Sequence, residues 1–158
     1  ILSFTNSSSD AVITAGVQDK DIIFKGDDGG SAITSLTLDM SNSGAAAFSA
    51  AAYNAEATLT DASTISWNAI TQPVAKVTLG ANRTLGAASG GIAGAFISLL
   101  IIQDGTGSRT VTFNAAYEFK DDTAPTLTTT ASKGDVFVFR YNGSKWLEVG
   151  RNQNLTLS

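Results

Sequence analysis

The stretch Asp135-Val-Phe-Val-Phe-Arg-Tyr-Asn-Gly-Ser-Lys-Trp-Leu-Glu-Val149 confines the chain to β architecture more tightly than any other part of it. Apolar and aromatic residues fill both alternations around Asn142-Gly143, and Asn-Gly is the preferred two-residue type I′ turn because both central positions need positive φ. The spacing predicts a hairpin in which Tyr141 opposes Ser144, Phe139 opposes Trp146 and Phe137 opposes Glu148. One face then carries the aromatics, while Val136, Val138, Leu147 and Val149 share the other. A hairpin apolar on both sides needs cover on both sides: its own sandwich partner on one, a neighbouring subunit on the other. Phe96 to Ile102, apolar on both alternations, imposes the same requirement.

The rest of the chain from Thr58 onward repeats this chemistry. Ser63 to Trp67, Val74 to Leu79, Arg109 to Phe113, Tyr117 to Phe119 and Thr126 to Thr128 are rich in threonine, valine, isoleucine and aromatics, with Gly, Asn and Asp between them. Such runs predict a sandwich or barrel-like knob over residues 58–152, with 153–158 as a tail. The first fifty residues differ. Short apolar bursts at Ala11-Val-Ile13, Ile22-Ile-Phe24, Ile33 with Leu36 and Leu38, and Phe48 alternate with turn clusters such as Asp27-Asp-Gly-Gly30. They predict a meander or shaft of short strands over residues 1–50, too poor in large side chains to own a core. The alanine-rich run from Ala45 reads as a small strand ending near Phe48, followed by a linker over 51–57, because helix propensity alone is a weak prior in so short a segment.

Composition removes whole classes of function. Cysteine and histidine are absent, which excludes disulfides, thiolate or imidazole metal ligation and the Ser-His-Asp and Cys-His nucleophile pairs. A net charge of −4 with a charged fraction of 15% offers no basic surface for nucleic acid. The longest apolar run, Ala95 to Ile102, is far short of the roughly 20 residues of a spanning helix, so no membrane insertion is expected. The opening at Ile1, without an initiator methionine, is expected of a piece of something longer.

Few residues remain that bear on chemistry. The glycine clusters lack the Gly-Lys-Ser/Thr ending of a phosphate cradle and read as turns. Asp19, Asp21, Asp27 and Asp28 do not follow calcium-loop spacing, and neither a metal nor a cofactor is expected. Glu118, Asp121, Asp122 and Asp135 are the one route to a two-carboxylate glycoside hydrolysis, but a polar loop ending in Pro125 supplies such pairs anyway. No catalytic residue is assigned. A ligand contact is expected in the longer polar connection Asn114 to Pro125, with Tyr117, Phe119, Asp121 and Asp122 as candidates, since embedded aromatics can stack on sugar rings.

The phrase Asp19-Lys-Asp-Ile-Ile-Phe-Lys-Gly-Asp-Asp-Gly-Gly30 with Ile33 to Ser41 resembles one that recurs in bacteriophage tail-fibre and other virion surface proteins. Asn82-Arg-Thr-Leu85, Gln103-Asp-Gly-Thr-Gly-Ser-Arg-Thr-Val-Thr-Phe113, Ala124-Pro-Thr-Leu127 and Asp135 to Gly143 with Trp146 are similar to a β-rich domain of phage structural proteins. The resemblance implies an all-β, intertwined homotrimer on the phage particle surface. It also implies other virion proteins as partners and a host cell-surface glycan as target. The expected function is that of a non-enzymatic tail fibre or spike engaged in host-surface recognition. A capsid-attached fibre or decoration protein, and a polysaccharide depolymerase fragment, are the alternatives.

Overall fold

The computed structural model describes residues 2–8 and 10–157 and is almost entirely β. It divides into two compact units, Ile1–Tyr53 and Asn54–Ser158.

In the first unit β1 (Leu2–Ser7) and β2 (Asp10–Ala15) form an antiparallel hairpin in which Phe4 stands opposite Ile13. β3 (Ile22–Asp28), β4 (Ser31–Asp39) and β5 (Ala45–Phe48) form a separate antiparallel meander. Its turns are built by the acidic residues. Asp27 Oδ1 accepts the Gly30 N–H at 2.8 Å, Asp39 Oδ1 accepts that of Asn42 at 3.0 Å, and Asp21 Oδ1 accepts that of Met40 at 3.1 Å. Those carboxylates are occupied by backbone donors, the usual Asx chemistry of turns. The alanine run forms its strand up to Phe48, as its sequence predicts, and no regular element follows until Ala57.

The second unit contains β6 (Ala57–Thr58), β7 (Thr64–Ile65), β8 (Val74–Leu79), β9 (Arg83–Leu85), β10 (Phe96–Gln103), β11 (Val111–Phe113), β12 (Tyr117–Glu118), β13 (Lys133–Tyr141) and β14 (Trp146–Thr156). They make a six-stranded sheet, β12-β14-β13-β10-β8-β6, and a three-stranded sheet, β11-β9-β7. Side chains from both sheets meet in one core, which gives the sandwich that the strand pattern predicts. The winding inside it is less ordinary. From β6 to β11 the chain alternates between the sheets, so β6, β8 and β10 are mutually parallel in one and β7, β9 and β11 in the other. Three successive coils are thereby stacked, and antiparallel β13 and β14 finish the larger sheet.

Polar residues stitch the coil corners. Arg83 grips Asp61 through Nε and an Nη, both at 2.6 Å, while Asp61 Oδ2 also takes the Gly80 N–H at 3.0 Å. Arg109 pairs with Asp104, whose other oxygen takes the N–H groups of Thr106 and Gly107. Each guanidinium, by hydrogen bonding first and charge second, holds its carboxyl below the ordinary aspartate range. The buried Gln103 amide donates to Arg109 O at 2.9 Å and accepts from Arg109 N at 2.8 Å, completing a pairing that the bent backbone leaves open.

Alternation sorts each long strand. Val77, Leu79, Leu99, Ile101, Phe137 and Phe139 point inward, and Phe137 and Phe139 are fully buried beside Phe113, Tyr117 and Phe119. Burial of each such side chain contributes on the order of 1.5–3 kcal/mol. The β13–β14 register differs from the one expected for a type I′ turn: Tyr141 faces Trp146 and Phe139 faces Glu148. The cause is the Asn142 side chain, whose Oδ1 accepts the N–H groups of Ser144 (2.8 Å) and Lys145 (2.7 Å) and closes a four-residue loop. That slip of two residues keeps the side chains from Phe139 to Glu148 on their expected faces, so the aromatic face still points inward. Beyond it a bulge at Val149 adds a third residue, and Phe137 faces Arg151 rather than Glu148.

Candidate functional site

The connection from β11 to β13 begins with a turn that Asn114 builds, its Oδ1 accepting the Ala116 N–H at 2.9 Å and its carbonyl that of Tyr117 at 3.0 Å. This lays β12 alongside β14 in parallel, with Tyr117 next to Trp146 and Glu118 next to Leu147. Alternation then sends Tyr117 and Phe119 inward and Glu118 outward. Tyr117 is buried, its hydroxyl donates to Gly86 O at 3.0 Å, and burial pushes its pKa far up. Phe119, also buried, packs edge-on against Phe113 with the ring centroids 4.9 Å apart. Neither ring of the expected sugar platform is presented to solvent, because both complete the aromatic core.

The exposed part of the expected contact lies just beyond. A 3-10 turn, Lys120–Asp122, carries Asp121 at φ 56° and Asp122 at φ 54°, two successive left-handed residues that turn the chain sharply. Asp121 and Asp122 are both exposed. Thr123 Oγ1 donates to Asp121 O at 3.0 Å and so ties down the bend. Lys145, from the β13–β14 loop, pairs with Glu118, and the Asp122 carboxyl lies near enough for the two acids to affect each other's titration. Lys145 foremost, then Asp122, lowers the Glu118 pKa, whereas the neighbouring Glu118 raises that of Asp122. The cluster is thus an exposed acid–acid–lysine group with donors and acceptors side by side. Lys145 escaped the sequence reading because only the parallel pairing of β12 with β14 brings it next to Glu118.

Behind this turn the chain runs through Pro125 to the buried Leu127, and a cleft of about 250 Å³ opens between Pro125, Thr126 and Leu127 on one side and Arg109, Thr110 and Val111 on the other. Asp135, the remaining candidate carboxylate, stands apart from the cluster. It is 2% exposed and accepts the N–H groups of Thr128 (2.7 Å) and Asn154 (2.9 Å), which makes it a buried clamp between the loop and β14. Among the described residues, no group of three or more acidic side chains is placed to hold a metal ion.

Comparison with known proteins gives one family match. Residues 55–146 match the model described as "Putative phage tail fibre C-terminal domain", a span that takes in the three coils, β12 and β13 and ends at the first residue of β14. No curated protein and no solved structure matches. With more than half of its length inside that match, the chain belongs to the phage tail fibre C-terminal domain family and is a structural component of a phage virion.

Proposed function

We propose that this tail-fibre chain works as a non-enzymatic homotrimer on the outside of the particle and takes part in host-surface recognition. The observation that carries the reading is the state of the first unit. Among its described residues none is buried. Even so, its meander has an apolar side, where the cross-strand rows Ile22-Leu38-Ala46 and Phe24-Leu36-Phe48 lie next to each other. Phe24 remains 43% and Phe48 56% exposed. A three-stranded sheet of this kind gains too little from its own contacts to offset the entropy of ordering it, and needs cover. Copies of the same chain, closed about a symmetry axis, provide that cover in the stoichiometry a fibre requires.

The host contact we assign to Asp121 and Asp122, with Glu118 and Lys145 beside them and Tyr117 and Phe119 holding the loop from beneath. Carboxylates and an ammonium group suit the hydroxyls of a surface glycan. We expect binding without turnover, since Glu118 is already paired with Lys145 and Asp121 and Asp122 sit exposed on a polar turn. Light scattering after size exclusion should give three chain masses, and a single-chain mass at micromolar concentration would end the trimer reading. Adsorption to host cells should fall in Asp121→Ala with Asp122→Ala, with no reducing ends released from extracted glycan. Release that vanishes in Asp122→Asn would instead make the protein an enzyme.

A further inference from the structure

We infer that the outward face of the six-stranded sheet is the surface through which the second unit packs against another copy of this chain. This rests on the self-association proposed above and assigns it a place. Phe96, Leu100 and Ile102 of β10 and Val136 and Val138 of β13 point away from the core, with Leu147 of β14 next to Arg140. Phe96 is 58% exposed and Val149, at the bulge in β14, 53%. Four strands about 4.8 Å apart, with four outward rows about 6.7 Å apart, cover roughly 500 Å². Leu100, Ile102, Val136 and Val138 are half-buried and Lys76, Ser98, Thr78 and Arg140 share the face, so its apolar part falls within the roughly 300–600 Å² of the largest patch on a monomer, a size that often marks an interaction surface. The whole face with its rim approaches the roughly 800 Å² per partner of a stable interface.

Charge selects the occupant. The chain has 14 Asp and Glu and a net charge of −4, yet the outward positions of β8, β10 and β13 hold no carboxylate, only Lys76 and Arg140. Lys76 is neutralised by Glu56 at 2.6 Å, and Arg140 lies in the end row beside Phe96. Two acidic chains can therefore meet here without opposing like charges. A glycan is a poor fit, since Phe96 is the one aromatic in those positions and Ser98 and Thr78 the one pair of hydroxyls. The chain itself already uses part of this surface: Leu157 Cδ1 lies within 2.9 Å of where a Cβ on Gly134 would sit, next to Leu100 Cδ1.

The test uses the full chain. Leu100→Glu and Val138→Glu should weaken association at least tenfold by light scattering, with far-ultraviolet circular dichroism unchanged, while Thr112→Glu, exposed on the other sheet, should not. Variants that keep the parental mass overturn the assignment of this face and leave self-association standing; a parent of single-chain mass removes both. Should the glutamate variants fail to fold, the lack of cysteine gives a second readout. A thiol in Phe96→Cys should be alkylated at least tenfold more slowly than one in Thr112→Cys, and equal rates would show the face to be open.

Discussion

Trp146→Ala should cost the second unit about 4 kcal/mol. The side chain is 1% exposed, its ring lies 4.7 Å from Tyr141, and its Nε1–H donates to Ala88 O at 3.2 Å. Truncating a buried tryptophan to alanine costs about 3–5 kcal/mol, and the value within that range depends on whether the surroundings can close over the void. Here they cannot move far: β13 and β12 flank the position, and Gly91 has no side chain with which to fill it. Trp146→Phe keeps most of the ring and loses the hydrogen bond, which limits the loss to roughly 1–2 kcal/mol. Urea titration followed by the fluorescence of Trp67, also buried, measures both, at several protein concentrations because association adds to apparent stability. A melting temperature lower by on the order of 15 °C accompanies the alanine change. If alanine and phenylalanine cost the same, or if neither moves the midpoint, then Trp146 is not the wedge between β12, β13 and the Ala88 loop that its contacts imply.

Asp135→Leu should cost about 1–3 kcal/mol, since it takes the acceptor from the Thr128 N–H and leaves that of Asn154 with Thr128 Oγ1 alone; hydrogen exchange at the Thr128 amide should report the loss first. Stability should also fall in acid. The folded pKa of Asp61 lies below its unfolded value near 4, so its contribution is complete above about pH 5 and is lost as pH drops through 4 toward the folded value. Thermal melts from pH 7 to pH 3 should therefore show a shallower decline for Asp61→Asn than for the parent, and parallel curves would refute the link. Gly143→Val should destabilise by at least about 1–2 kcal/mol, because Gly143 sits at φ 100° although the space around it is open; Gly143→Asn, better suited to positive φ, should recover part of the loss in the same melts.

What the sequence makes legible depends on the range of the signal. Strand identity and facing are local, so Val136, Val138, Phe137 and Phe139 sort onto the two faces as their alternation demands. Register is set by turn chemistry, and there the second hydrogen bond of Asn142 outweighs the Asn-Gly preference. Parallel stacking of coils leaves no local mark: nothing in Gly80-Ala-Asn82 tells whether the chain reverses or turns a corner, and the grip of Arg83 on Asp61 joins residues of different coils. Length and polarity single out the loop from Asn114 to Pro125, although Tyr117 and Phe119 on either side of Glu118 carry the period of two that places both rings inside. Asp121 and Asp122, by contrast, are exposed as a polar turn should be.

Interleaving of the two sheets also governs how the chain is made. On the ribosome β6 has no neighbour until β8 emerges, and β8 none until β10, so the stack grows one coil at a time with an open rung at its newest edge. The edge of β10 is the long, apolar one, and its partner β13 begins only at Lys133. At roughly 5–20 residues per second that edge waits on the order of seconds with its backbone donors and acceptors unpaired, next to other nascent chains of identical sequence on the same message. Edge-to-edge pairing between unfinished copies is the aggregation hazard that this topology carries and that an antiparallel meander, closing each hairpin as it appears, avoids.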